Sequence, residues 1–183
     1  YTEKMDGYEA SINYLRSQRR MKNDKPIIGE YGINEEGSGD MYCKGSWMLH
    51  TVRNFLDNDS LWFATLKEFH MYFELSNTNT EEVLKWFEIK LGNDVKKLMI
   101  RYLYQADIPV LQYEKKKFLW FKRVNYKWKA ETQNFNLPIR VNDEIIKPTN
   151  EWQKIKLKNF KKLRKQFDWK FALYDIEQLS KED

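Results

Sequence analysis

The sequence is poor in the residues that usually mark a chemical centre. It has one cysteine, two histidines, seven glycines and four prolines in 183 residues. The single thiol, Cys43, has no partner for an internal disulfide, so cysteine usage leaves the redox compartment open. His50 and His70 fall in no His-Glu-x-x-His or other ligand spacing, and there is no Cys-x-x-Cys. The chain by itself therefore offers no zinc site. No apolar run approaches the ~18 residues that span a bilayer, and no leader pattern is present. Charge of one sign is scarce too. Thirty-two basic against 27 acidic residues give a net charge of +5, a mixed surface without the footprint of a nucleic-acid binder. The excess lies late, at Lys115–Lys117 and between Lys158 and Lys165. It reads first as a solvated lysine-rich surface, and no nucleic-acid partner is expected.

What is abundant is aromatic: 11 Tyr, 11 Phe and 7 Trp, within a hydrophobic content of 42%. That is enough to build one compact domain or two small ones. The first residues, YTEKMDGYEASINYLRSQRR, read as already entering a helix, so a piece of a longer protein is expected. The compartment stays open with it.

Apolar spacing divides the chain. Ala10, Ile12, Tyr14, Leu15 and Met21 form a stripe that predicts an amphipathic helix over about 5–22. KNDKPIIGEYGINEEGSG, with Pro26 and its glycines, breaks it. A helix over about 40–56 follows, its buried face predicted at Met41, Gly45, Met48, Leu49, Val52, Phe55 and Leu56, with Asp40 at its positive end. A third helix is expected over about 59–75, carrying Leu61, Trp62, Leu66 and Phe69. Asn79 followed by Glu82 is a capping-box pattern for a fourth, which Gly92 stops. VKKLMIRYLYQ is a fifth. Near Asp107-Ile108-Pro109 the period changes to two. Val124, Tyr126 and Trp128 alternate with Asn125, Lys127 and Lys129. Two strands flank Asn142-Asp143. Ile155 and Leu157 alternate with lysines, and Phe167, Trp169, Phe171 and Leu173 predict a last strand. The expected fold is α+β: an all-α helical bundle over 1–107, then a small antiparallel β-sandwich over 108–183.

These elements, in this order, resemble a known family. Tyr42-Cys43-Lys44-Gly45, with Met48-Leu49 behind, matches a Tyr-x-Lys-Gly helix start. Thr80 and Glu82, Leu91-Gly92-Asn93-Asp94, Tyr102-Leu103 and Ile108-Pro109-Val110-Leu111 follow in the family's order. NFNLPIRV and KPTNEW look like its β-sandwich. The stretch from Tyr31 to Tyr113 thus resembles the part of aminopeptidase N-like zinc metallopeptidases, the gluzincin aminopeptidases, that comes after their metal site. LRSQRRMKNDKPIIGEYGINEEGSGDMYCKG resembles a compact bacterial-type branch. Within the match, Gln105-Ala106-Asp107 stands where a glycine is common, and Arg101-Tyr102 where tryptophan is usual.

The resemblance implies that the helical part belongs to a thermolysin-like catalytic domain. It implies peptide substrates, zinc as the cofactor, and Tyr42 as the donor of a hydrogen bond to the tetrahedral oxyanion. A donor placed where negative charge develops lowers the barrier selectively. The zinc-binding His residues and Glu would lie in another part of the same protein, which becomes this chain's partner, and the chain is expected to be inactive alone. Tyr42 is expected to line the bundle with its ring and to aim its hydroxyl into a cleft. Tyr31 and Asn34, in the preceding loop, are weaker candidates for the substrate groove. From the residues alone, a packing tyrosine at a helix end remains the plainer reading of Tyr42. Gly45 is expected to admit a neighbouring helix, Lys44 is given no role, and His50, His70 and Cys43 are read as structural. A face that docks on the zinc-bearing part would be apolar and could drive self-association. Two other functions stay open: a non-catalytic interaction module of the same fold, and a nucleic-acid binder using Lys115–Lys129 and Lys154–Lys165.

Overall fold

The structure, a computed structural model, describes residues 2–19, 24–33, 39–118, 121–130, 135–142, 144–156 and 163–179. The chain is α+β, with a helical region followed by a mixed four-stranded sheet and a small hairpin. It divides into two compact units, Tyr1–Asp107 and Ile108–Asp183.

In the first unit the expected opening helix is two: α1 (Thr2–Asp6) and α2 (Tyr8–Ser17). Gly7 separates them with φ of 87°, a conformation that only glycine adopts without strain, so the apolar stripe cannot run through it. Then come α3 (Met41–Leu56), α4 (Asp59–Phe73), α5 (Thr80–Leu91) and α6 (Asn93–Tyr104). Local chemistry sets their ends. The Asn58 side chain accepts from Leu61 N at 3.0 Å, and Asn79 from Glu82 N at 3.0 Å, each satisfying an amide that a helix start leaves open. Glu82 takes the Thr78 hydroxyl at 3.0 Å. Gly92, at φ of 96°, ends α5 and starts α6.

The buried face of α3 runs through Lys44, Trp47, Met48, Thr51 and Val52. It is turned from the expected stripe because Trp47 is the largest apolar side chain on the helix and is completely buried. It packs there with its indole N–H donated to Leu15 O at 3.0 Å. Around α4 and α5, Phe69, Phe73, Trp86 and Phe87 form one aromatic cluster with centroids 4.9–6.4 Å apart.

In the second unit, β1 (Val110–Phe118) pairs antiparallel with β2 (Phe121–Lys129), and β2 with β5 (Gln153–Lys156). The hairpin of β3 (Ile139–Val141) and β4 (Glu144–Ile146) forms the second sheet. Its turn carries Asn142 at φ of 54°, a conformation asparagine tolerates.

The expectation of an all-antiparallel sandwich is corrected at the last strand. Residues 167–173 make a single bridge from Phe167 to Val141 and then a turn. The strand comes later, as β6 (Asp175–Gln178), and lies parallel to β1. The alternation of Phe167, Phe171 and Leu173 was that of a buried loop. All three are buried, and the turn forms around Asp168, whose carboxylate accepts from Lys170 N at 3.0 Å. Strand β1 was hidden from the period by its charges, since Lys115 shares the inward face with Leu111 and Tyr113. The core of this unit joins Trp128, Phe135 and Tyr174, with the Trp128 N–H donated to Leu137 O at 3.1 Å.

Candidate functional site

Tyr42 lies in the first turn of α3. Its side chain is 79% exposed, which corrects the expectation that the ring lines the bundle and removes the reading of a packing tyrosine. The reason is the rotation of the buried stripe. Once Lys44, Trp47 and Met48 face inward, position 42 faces out. Gly45 and Leu49, three and seven residues on, share that outward face. Leu49 is 38% exposed. A side chain built at Gly45 would meet nothing within 4 Å, so the expected close helix approach at this glycine is also corrected.

Directly behind Tyr42 the helix is anchored by a residue that sequence reasoning passed over. Lys44 is fully buried, and its ammonium donates to Gln105 O at 2.5 Å and Ala106 O at 2.7 Å. These carbonyls follow the last turn of α6, where a cation also meets the negative end of the helix. The same exit is held by Arg101, buried, which donates to Asp107 O at 3.0 Å and Asp107 Oδ2 at 2.8 Å. Burial, with the neighbouring Arg101 charge, lowers Lys44 from the usual 10.5 to about 8, against the pull of Asp107 and Asp40. The first turn of α3 and the exit from α6 are thereby one clasp. The available signal was a lysine set at helical spacing from Met48 and Thr51 on an otherwise inward face.

The other candidates separate. Tyr31 is fully exposed in a turn and makes no hydrogen bond to Tyr42. Asn34 lies outside the described residues. His50 sits 3.0 Å from the Asn54 side-chain amide and edge-on to Trp47 at 5.5 Å, the environment of a structural histidine. Cys43 is a free, half-buried thiol. Among the described residues, no group of three or more His, Cys, Asp or Glu could hold a metal ion. The described residues by themselves thus do not fit a zinc site. No helix of the described residues is long and apolar enough to cross a membrane.

Among the described residues, two grooves lie on the helical unit, and Tyr42 lines neither. One, of about 700 Å³, is floored by Leu49, Trp62, Phe63 and Leu66 and edged by Arg53. Arg53 is fully engaged, by Glu3 at 2.5 Å and Asp59 at 2.6 Å. Its guanidinium holds both carboxyls below the ordinary range, opposed in part by desolvation. The other groove, of about 510 Å³, lies against Tyr72, Phe73, Trp86 and Ile89.

Comparison of the chain with family models and with curated proteins finds no match in either.

Proposed function

We propose that this chain is the part of a zinc-dependent metallo-aminopeptidase that follows its metal site, and that Tyr42 is the oxyanion donor of that enzyme. The observation that carries the reading is the setting of Tyr42: an outward phenol on the first turn of α3, in the Tyr-x-Lys-Gly pattern, with its helix anchored from behind by Lys44. A catalytic donor has to be both uncovered and rigid. The exposed face gives the first property. The clasp from Lys44 to the carbonyls after α6 gives the second, because it restrains the backbone two residues from the phenol.

In this reading the zinc ligands belong to the remainder of the enzyme, where the metal would supply Lewis-acid chemistry. The contribution of this chain is a hydrogen bond from the Tyr42 hydroxyl that strengthens as the carbonyl oxygen gains charge. In this reading Tyr31, exposed ahead of α3, is a weaker substrate contact. Peptides are the substrates, and the zinc-bearing part of the protein is the partner of the face formed by Tyr42, Gly45 and Leu49.

The test is Tyr42→Phe in the enzyme that contains this chain. Turnover should fall about 10²–10³-fold with KM little changed. Near-normal turnover overturns the role of Tyr42. A parent protein with zinc bound and no action on peptides overturns the enzyme class.

A second reading draws on a different observation. Among the described residues of the helical unit, fifteen large hydrophobic ones are exposed, which also suits a non-catalytic interaction module of this architecture. Such a module would lose partner affinity, and no turnover, when Leu49 or Phe63 is changed.

A further inference from the structure

The register of the four-stranded sheet aligns cations from the two late basic stretches, 115–129 and 154–165, into one row. The sheet order is β5-β2-β1-β6. Across it, Lys116 of β1 stands opposite Arg123 of β2, and Arg123 opposite Lys156 of β5. Tyr113, Val124 and Tyr126 point into the core, so this row points the other way, and all three of its residues are exposed. Neighbouring strands lie about 4.8 Å apart, so the row spans roughly 10 Å. Like charges directly opposite one another are unfavourable in a sheet.

Two residues along each strand, Lys154 stands opposite Asn125, and Asn125 opposite Glu114. Glu114 pairs with Lys116 at 3.0 Å and takes the Asn125 amide at 3.4 Å. Glu177 lies 3.8 Å from Lys129 and accepts from the Gln112 side-chain amide at 2.7 Å. One step further, the Lys127 ammonium lies 4.9 Å over the ring of Trp152, which is 40% exposed.

Lysine on an edge strand is the ordinary way to discourage edge-to-edge pairing, and that accounts for Lys154 and Lys156 on β5. It does not account for Arg123 and Lys116, which lie on the two inner strands. We infer that this face is a binding surface for single-stranded nucleic acid. Lys116, Arg123, Lys154 and Lys156 would follow the phosphates, and Trp152 would offer a ring for a base.

A cationic track with an adjacent aromatic is what binding of single strands requires. Apart from Trp152, the outward residues described on β2 and β5 are polar or charged. The face therefore has little to insert into a bilayer, and membrane attachment needs more than charge. The inference goes beyond the peptidase reading and does not depend on it, since no residue of the helical unit enters the argument.

The experiment is fluorescence anisotropy of the full chain with a labelled oligothymidylate of about 15 nucleotides, within the range of single-strand site sizes. Salt is varied from about 50 to 200 mM. Binding should weaken with salt at a log–log slope of about −2 to −3, as three or four phosphate contacts give at −0.7 each. Arg123→Glu and Lys156→Glu should each lower affinity about tenfold, whereas Lys97→Glu in the helical unit should change it less than about twofold. Arg123→Gln and Lys156→Gln, milder on the fold, should show the same order of effects. Trp152→Ala should weaken binding about fivefold with the salt slope unchanged. Absence of binding at the lowest salt overturns the proposal. So does an equal loss in Lys97→Glu, or binding to phosphatidylserine vesicles with none to the oligonucleotide.

Discussion

The two units solve the burial problem differently. In the strand unit sixteen hydrophobic residues are buried and two large ones, Ile145 and Trp152, are exposed among the described residues. In the longer helical unit twelve are buried and fifteen large ones are exposed. A short sheet with a hairpin and aromatic loops buries its own apolar groups. The helices instead bury one stripe each and leave apolar groups such as Leu49, Phe63, Met71 and Leu75 in solvent. Single exposed hydrophobes need no explanation, but this many in one small unit mark a surface suited to another segment or chain. The residue with the best claim to chemistry, Tyr42, is on that side of the comparison.

The contrast can be broken by substitution. The largest effect is expected in the self-contained core. Trp128 is buried and bonded to Leu137 O, and Trp128→Ala should cost about 3–5 kcal/mol, read as an earlier urea transition of strand-unit fluorescence or amide exchange. Phe63→Ala, at a side chain 53% exposed, should cost much less. Similar losses at the two positions would remove the distinction between the units.

Next is the pH dependence set by Lys44. Its folded pKa of about 8 lies below the ordinary 10.5. Between those values the unfolded chain holds the proton that the folded chain has released, so stability rises with pH. The gain is up to ~3 kcal/mol across the window, and below pH 8 the buried charge works against the fold. Burial pushes the Tyr102 hydroxyl well above its usual value. Above about pH 10 the unfolded tyrosine ionises and Tyr102 does not, which begins to offset the gain. Denaturant midpoints from pH 7 to about 10 should therefore rise, and in Lys44→Met the slope should be lost. A flat profile in the unaltered chain would contradict the buried position of Lys44.

Smaller effects follow at the helix ends and on the open face. Asn79→Ala removes the cap of α5 and should cost about 1 kcal/mol. Gly45→Ala has open space around it and should stabilise the chain by about 0.5–1 kcal/mol through helix propensity. A loss of stability there would mean that the outward face of α3 is already covered.

Much of the architecture was legible in the sequence, and the exceptions have physical causes. Helix starts at Asp59 and Thr80 could be read because Asn58 and Asn79 act through their own side chains within three residues. The stop at Gly92 was equally local. The break at Gly7 was not read, because the apolar stripe continues on both sides of it. Strands β1 and β6 were missed for different reasons. Lys115 stands on the inward side of β1 near its end, and β6 is defined by its pairing with β1, a contact between distant segments. The periodic aromatics at 167–173 were read as a strand, although alternation also fits a buried loop.

At the candidate site, the place of Tyr42 at the start of α3 was legible, whereas its outward orientation was not. That orientation depends on which stripe of α3 is buried, and Trp47 and Lys44 decide it through partners on α2 and beyond α6. The Lys44 clasp was invisible for the same reason: its acceptors are backbone carbonyls 61 and 62 residues away, and carbonyls leave no trace in sequence.

The most direct test of the central claim is to read the coding sequence immediately upstream of Tyr1. The account predicts a His-Glu-x-x-His motif followed by a further Glu shortly before Tyr1, in the same reading frame. An upstream region without those ligands would contradict it. The helical unit would then be an interaction module, and the outward phenol of Tyr42 a contact for a partner instead of an oxyanion donor.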